Sequence, residues 1–532
     1  MESLLILLLA IAWALYTIIR LKRNVHMLQL NSYRNERYFR WMKGNTKKAF
    51  RLWDLLPLLS LIALPLSENI SFYVIAAWAI IVFASLTALR PQTEEKKKLV
   101  YTSRVKRLLT AIGLVYLLIF LGAFWWSAGG TFTMGLFIAI LAVATFLAYF
   151  IVMVANVITM PIELQINQYY FHDAERIVRD MPNLEVIGVT GSYGKTSTKH
   201  ILKAVLASKY NVLMTPESYN TKMGVTRTIR EQLKPYHDLF IAEMGAKQEH
   251  DIEEICTLVN QKYGIVTAIG EQHLETFKTL ETIKKTKFEL VETLPHDGTA
   301  FLNKDDDNIR AYPQVNSVRT MYYGIDAEDL HYRATNITYS GKGTTFTVEK
   351  YDGTSVEIQT KLLGRHNIYN ILAAVAIGAE KNIPLDVIAR AIKGVAPVAH
   401  RLELKRTSDT LTIIDDSFNS NPSGSKMAVE VLGYMPEKKI LITPGMIELG
   451  DREYELNKRL ATHAADVCDY IILVGKKQTI PLQDGLQEAG YSEDKYYVAS
   501  NLQDALAKMR DVTATEPSVV LLENDLPDTF EE

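Results

Sequence analysis

Four uncharged runs in the first 160 residues constrain this chain more than any other feature. They lie at 3–19, 72–89, 108–126 and 134–158, and a helix needs about 20 apolar residues to cross a bilayer. A soluble globule does not carry such a series. A fifth segment, 52–66, is shorter and holds Asp54, Pro57 and Pro65. Loop charge decides its status. Residues 20–51 carry ten Lys and Arg against one acid, residues 90–107 carry seven against two, and 67–71 and 127–133 carry no Lys or Arg. Basic loops stay cytoplasmic. Both basic loops fall on one side only if 52–66 also spans. The expectation is a multi-pass protein of the cell membrane with five spans, its N-terminus outside and all that follows residue 160 in the cytoplasm.

The first run does not read as a cleaved signal, because only Glu2 precedes it and Arg20, Lys22 and Arg23 follow it. Apart from Asp54, near one end, no charged residue sits within a span. A transport pathway usually needs such groups, so the helices read as an anchor in the lipid bilayer. The net charge of −2 conceals a net +11 in residues 1–160 and −13 beyond, and all six tryptophans lie in the first part. That split excludes a disordered chain and gives no basic surface for nucleic acid on the larger part. Two cysteines, Cys256 and Cys468, exclude a disulfide framework or a Cys-rich zinc site.

After residue 184 the pattern changes to alternating strands and helices. A short apolar, β-rich run at 184–190 leads into G-S-Y-G-K-T at 191–196, and 197–208 has apolar residues at helical spacing. Strand, glycine-rich loop and helix form the setting in which a phosphate loop is credible. Gly191, Ser192, Tyr193, Gly194, Lys195, Thr196 and Ser197 would then bind ATP. The glycines let backbone amides turn toward phosphate oxygens at a helix N-terminus. Lys195 can reach the terminal phosphates, and the Thr196 hydroxyl can ligate Mg2+. The first glycine of the longer G-x-x-x-x-G-K-T form falls on Val189. No G-x-G-x-x-G follows a strand, which disfavours a dinucleotide-dependent reductase.

The T-G-S-Y-G-K-T-S loop at 190–197 opens a series of ordered motifs: S-Y-N-T-K-M-G at 218–224, A-E-M-G-A at 242–246, H-L-E-T-F at 273–277 with K-T-K-F-E at 285–289, F-L-N-K-D at 301–305, G-R-H-N-I-Y-N at 364–370, Arg401, and D-D-S-F-N-S-N-P at 415–422. This series resembles the Mur ligase family, ATP-dependent enzymes that join an amino acid or peptide to a carboxylate of a cell-wall precursor. The last motif and G-M-I-E-L-G at 445–450 are most similar to the type that adds D-alanyl-D-alanine to a UDP-muramoyl tripeptide. The resemblance covers about 180–480. With the uncharged runs, the expected architecture is an α-helical membrane region, a linker at 161–183, and then the α/β domains that the resemblance implies: a central ATP-binding domain with a mostly parallel sheet at 184–396 and a smaller α/β domain at 397–532, linked near Pro397.

The resemblance also implies roles. The carboxylate is phosphorylated by ATP, an amine attacks the acyl phosphate, and peptidoglycan precursor is the product class. Lys195, Lys287, His273 and Glu243 are the catalytic candidates. Thr196 and Glu243 would hold one Mg2+, and His273 and Lys287 a second, with Lys287 carbamylated into an anionic oxygen ligand. Asn303, Asp305 and Asn367 resemble adenine-side positions. Arg401 and Asp416 resemble a phosphate clamp and a ribose-side or hinge-side acid. Asn220, Thr221, Asn419 and Asn421 fall on the substrate side. Lys284 and Lys285 read as ordinary helix-surface lysines.

Three departures bear on the substrate. Membrane helices stand where the family has a UDP-sugar domain, which favours a lipid-linked or membrane-proximal acceptor. The family's P-G-R before the C-terminal domain reads V-A-H-R at 398–401. The C-terminal L-L-E-N-D at 521–525 replaces a basic segment that faces the incoming carboxylate. A polyglutamate-type ligase acting on another substrate, and a catalytically weak membrane binding partner, are the alternatives. Retention of Lys195, Thr196, Glu243, His273 and Lys287 together argues against the latter.

Overall fold

A computed structural model describes residues 2–46, 56, 72–88, 98–128, 134–216, 219–272, 274–340, 343–397, 400, 402–406, 410–417, 420–447 and 449–524. The expected span at 52–66 and the candidates His273, Arg401 and Asn419 lie outside these residues. The chain separates into two compact units, with the break between Gln168 and Tyr169.

The first unit is helical: Glu2–Leu30, Asn35–Gly44, Phe72–Ala88, Ser103–Ala128, Met134–Phe146 and the start of Ala148–Arg179. Leu9, Trp13, Tyr16, Phe83, Ile112, Phe137 and Leu141 form its core. Its outside is equally apolar. Leu4, Leu7, Leu8, Ile11, Leu15 and Ile18 are exposed along the first helix, and Leu114, Leu117, Leu118 and Leu121 along another. By length and composition three helices, Leu4–Leu30, Ser103–Trp125 and Ala148–Arg179, are long and apolar enough to cross a membrane, and Tyr73–Ala88 and Gly135–Phe146 are shorter apolar helices. The first helix runs eleven residues past the uncharged stretch that ends at 19.

The single helix expected at 134–158 is broken at Leu147. The hydrogen-bond ladder itself runs on, with Leu147 N–H on Val143 O at 2.9 Å and Ile151 N–H on Leu147 O at 3.1 Å. The Trp13 indole donates to the Leu141 carbonyl at 3.2 Å and to Thr145 Oγ1 at 2.8 Å, and Thr145 Oγ1 itself donates to Leu141 O at 3.0 Å. These bonds tie Met134–Phe146 to the first helix. In the same unit Arg107 grips Glu163 bidentately, at 2.6 and 2.8 Å, the geometry that makes an arginine–carboxylate pair strong.

The linker expected at 161–183 is helical as far as Arg179, with Pro161 inside the helix. The reason is packing: Phe171, Ala174, Ile177 and Val178 join Val186, Val225 and Phe240 in a core of the second unit. These residues therefore belong to the α/β fold.

The second unit holds two sheets. The larger contains β1 (Glu185–Thr190), β2 (Val212–Met214), β3 (Leu239–Glu243), β4 (Tyr263–Val266), β5 (Thr299–Asn303), β6 (Arg319–Gly324), β7 (Tyr332–Ser340), β8 (Gly343–Lys350) and β9 (Ser355–Thr360), in the order β2-β3-β1-β4-β5-β6-β7-β8-β9. Pairings from β2 to β7 are parallel, and β7–β8 and β8–β9 are antiparallel. β6 to β9 thus extend the sheet beyond β5. β3 and β5 are buried at every residue, as strands covered by helices on both faces must be. The smaller sheet contains β10 (Glu403–Arg406), β11 (Leu411–Asp416), β12 (Lys438–Thr443), β13 (Tyr470–Val474), β14 (Tyr496–Ala499) and β15 (Ser518–Glu523), in the order β10-β11-β15-β12-β13-β14. Only the β10 pairing is antiparallel. Arg452, in a short turn of the smaller domain, forms an ion pair with Glu271 of the central domain.

Candidate active site

Ligands of open parallel sheets bind beyond the strand C-termini, and the glycine-rich loop sits there, after the strand β1. Gly191 and Gly194 have φ of 148° and 83°, values costly for any residue with a Cβ. A Cβ on Gly191 would also lie 2.0 Å from Thr267 Oγ1. That contact is how the loop is fastened. Thr267 Oγ1 donates to the Tyr193 carbonyl at 2.6 Å, Ser192 N donates to Ala268 O at 2.7 Å, and Ser192 Oγ donates to Gly270 O at 2.9 Å. Residues 267–270 follow β4, so two neighbouring strands shape one loop. Lys195 starts the helix Lys195–Leu206 and folds its ammonium back on the carbonyls of Gly191 and Ser192, at 2.6 and 3.0 Å. Ser197 faces a cavity also lined by His200, Ile201, Leu362, Asn367, Val395 and Ala396.

Glu243 is the hub of the site. It ends β3, and the parallel register pairs it with Val189 beside the loop. Thr196 Oγ1 lies 3.1 Å from its Oε2, Asn220 Nδ2 donates to Oε1 at 3.0 Å, and Lys199 Nζ stands 2.8 Å from Oε2. Both side chains of the Lys199–Glu243 pair are buried, at 0% and 1% exposure. Burial pushes the Glu243 carboxyl up, but the Lys199 charge and hydrogen bond, with Lys195 and Asn220, outweigh it and hold the group below its ordinary range. Gly245 gives Asn220 its room, since a Cβ there would lie 2.7 Å from the amide carbon. Sequence reasoning missed Lys199. Its signal was the four-residue spacing from Lys195, which puts both on one side of the helix.

Lys287 lies on the helix Leu280–Glu292 and is 3% exposed. Burial pushes its amine down to about 7, and the charge of Lys195 acts in the same direction, against Glu289 and Asp251. By contrast Lys284 and Lys285 pair with Glu281 and Glu249.

The remaining candidates are tied into the frame. Asn303 Nδ2 donates to Thr267 O at 3.4 Å. Asp305 accepts backbone N–H groups from Ile325, Asp326 and Ala327, at 2.6, 3.1 and 2.7 Å. Burial pushes the Asp305 carboxyl up, and these amides outweigh it and hold it low. Asn367 donates to Leu363 O at 2.9 Å and accepts from Asn370, whose Oδ1 takes the Thr198 hydroxyl of the loop helix at 3.0 Å. Thr221 and Asn421 accept from the backbone of Gly224 and Gly424 and cap their helices. Asp416 Oδ1 accepts from Leu402 N at 3.1 Å. Beside it Asp415 gathers Lys405, His400 and Ser417; burial pushes it up, yet these partners bring it down to about 2.

Among the described residues no three His, Cys, Asp or Glu gather as a metal cluster. Thr196 and Glu243 do bring a hydroxyl and a carboxylate together, the hard oxygen donors that magnesium prefers.

The family model for the Mur ligase middle domain matches residues 189–378, and that for the Mur ligase glutamate ligase domain matches 400–523. The chain is 30% identical over 370 residues to the UDP-N-acetylmuramoyl-tripeptide–D-alanyl-D-alanine ligase of Escherichia coli K12, covering 68% of this chain and 81% of that one. The enzyme of the same name from Bacillus subtilis 168 is 32% identical over 297 residues, covering 55% of this chain and 63% of its own length. Among solved structures, MurF from Acinetobacter baumannii matches with a TM-score of 0.62 and 24% identity over 68% of this chain and 78% of that chain. MurF ligase from Thermotoga maritima in complex with ADP matches with a TM-score of 0.60 and 24% identity, over 68% and 80%. These two establish likeness of fold.

Proposed function

The chain belongs to the Mur ligase family of ATP-dependent, ADP-forming peptide ligases, and from that membership we propose that it is a membrane-anchored ligase joining a carboxylate-bearing cell-envelope precursor to the amine of an amino acid or dipeptide. The observation that carries this reading is the meeting of Thr196, Asn220 and Glu243 at the start of the phosphate-loop helix. By analogy with the relatives' names, a UDP-muramoyl tripeptide and D-alanyl-D-alanine are the first substrates to try.

A carboxylate forms no amide at neutral pH without activation. In the proposed route a carboxylate oxygen attacks the γ-phosphorus of ATP, the bond to the bridging oxygen breaks, and ADP leaves. The amine nitrogen then attacks the acyl carbon, the bond to the phosphoryl oxygen breaks, and the amine gives up a proton as phosphate departs. Both reactants are anionic, so positioning and local positive charge dominate the catalysis. Lys195 and the loop amides supply that charge at the phosphates. Thr196 and Glu243 would hold a magnesium ion, with His273 and a carbamylated Lys287 for a second; bound there, magnesium neutralises charge between ATP and the carboxylate. An amine lowered to about 7 has a substantial neutral fraction at neutral pH. That form adds CO2, losing a proton and exchanging a positive charge for a negative one. Asn303, Asp305, Asn367, Asp416 and Arg401 complete the nucleotide side in this reading, and Asn220, Thr221, Asn419 and Asn421 the substrate side.

The three helices long and apolar enough to cross a membrane support the anchor; in this reading the loop charges set the count at five spans and put the α/β domains at 184–396 and 397–532 in the cytoplasm. They also favour an acceptor presented at the membrane. The route is tested with an acceptor labelled with oxygen-18 in its carboxylate. One labelled oxygen is expected in the released phosphate, and unlabelled phosphate beside amide product would refute the acyl phosphate.

A further inference from the structure

We propose that Lys199 is a positioning residue, a built-in cation that holds the Glu243 carboxylate in working position before any divalent ion arrives. The inference rests on the reading of Thr196 and Glu243 as ligands of that ion. Lys199 lies one helical turn beyond Lys195, yet the two lysines do different things. Lys195 bends back to the carbonyls of its own loop. Lys199 reaches across to the end of β3 and meets Glu243 at 2.8 Å, with both groups sealed from solvent.

Sealing a carboxylate and an ammonium away from water costs several kcal/mol for each ion, and pairing repays that only when the remaining acceptor sites are also filled. Here they are filled. Asn220 holds Oε1, and Thr196 reaches both oxygens. Without Lys199 the hub carries an uncompensated buried charge. A second cation at the same carboxylate is then the available compensation. The pair therefore does more than brace helix to strand: it lets the site exist in assembled form whether or not metal is bound.

The two roles differ in one measurable respect. If Lys199 stands in for a cation, a divalent ion can replace it; if it is only a brace, an ion cannot. The experiment uses the full chain in detergent, without nucleotide, and compares Tm in EDTA with Tm in millimolar MgCl2. For the wild type, the two values are expected to agree to within about 1 °C. Lys199→Met, close in length and uncharged, is expected to lose ~3 °C or more in EDTA and to regain at least half of the loss in MgCl2. The double variant K199M/E243Q removes the stranded charge and is expected to show no magnesium response. A K199M protein whose loss is untouched by magnesium overturns the proposal, as does one that loses nothing. If K199M does not fold, Lys199→Arg keeps the charge but changes its reach. It is expected to keep the wild-type Tm and to raise the Mg2+ concentration for half-maximal turnover at least threefold; an unchanged requirement overturns the proposal. Failure of the ligand reading itself shows separately, as a Thr196→Val enzyme whose magnesium requirement matches the wild type.

Discussion

Asn220 Nδ2 lies 3.0 Å from Glu243 Oε1 and so joins two segments that stand 23 residues apart in the chain. A neutral amide at that place orients the carboxylate without changing its charge. Asn220→Asp sets a second carboxylate beside the first, and like charges that close disfavour double ionisation. Turnover is expected to fall at least ~10-fold, a loss of ~1.4 kcal/mol in transition-state stabilisation. Steady-state phosphate release measures it, and a turnover within twofold of the wild type would remove Asn220 from the site.

Lys287 gives a prediction about pH as well as about catalysis. Its folded value, about 7, lies below the ordinary 10.5. In CO2-free buffer, where the amine is not carbamylated, the unfolded chain holds the extra proton between those values, so stability rises with pH across roughly 7 to 10.5 and is flat below. Lys287→Met is expected to flatten that rise, measured as Tm against pH, and to be the more stable protein near pH 7. Turnover of Lys287→Ala is expected to collapse and to recover in part with added formate or acetate, which replace the missing anionic oxygen. Full activity in Lys287→Ala would sink the carbamate reading.

Asp305 is tied to three backbone amides of the 325–327 turn. Asp305→Ala leaves those amides without their acceptor, and each hydrogen bond to a charged group is worth ~1.5–3 kcal/mol. A lower denaturation midpoint is expected, with KM for ATP changed through the turn it holds. If KM for ATP rises tenfold while the midpoint stays put, Asp305 touches the nucleotide directly.

Much of the site was legible because its parts are local. The strand at 184–190, the loop and the following helix are contiguous, and their glycines announce the backbone they need. Lys287 was legible only through resemblance, since nothing in K-K-T-K tells a buried lysine from an exposed one. Lys199 is hidden for a related reason: its partner ends β3, and the register that brings Glu243 beside Val189 is a property of the sheet. In the helical unit, the uncharged runs at 72–89 and 108–126 foretold apolar helices, whereas the break at Leu147 leaves no mark in the sequence. The helix runs on to Arg179 because Phe171, Ala174, Ile177 and Val178 meet core residues such as Val225 and Phe240, which lie about 50 to 70 residues later in the chain.

The two cysteines make topology measurable. Cys256 and Cys468 are buried, and burial pushes both thiols up to about 12, so neither is an effective thiolate at neutral pH. In intact cells, Ser3→Cys is expected to react with a membrane-impermeant maleimide, and Ser208→Cys, exposed on the α/β unit, only after lysis. Labelling of Ser208→Cys in intact cells would reverse the assignment of sides.

The most direct measurement is phosphate release from ATP by the detergent-solubilised full chain, offered carboxylate and amine substrates separately and together. UDP-muramoyl tripeptide and a lipid-linked counterpart serve as carboxylates, and D-alanyl-D-alanine and single amino acids as amines. Release that needs one of each, matched by an equal amount of amide, is the predicted result. Release indifferent to the amine, or amide formed without ADP, would contradict it.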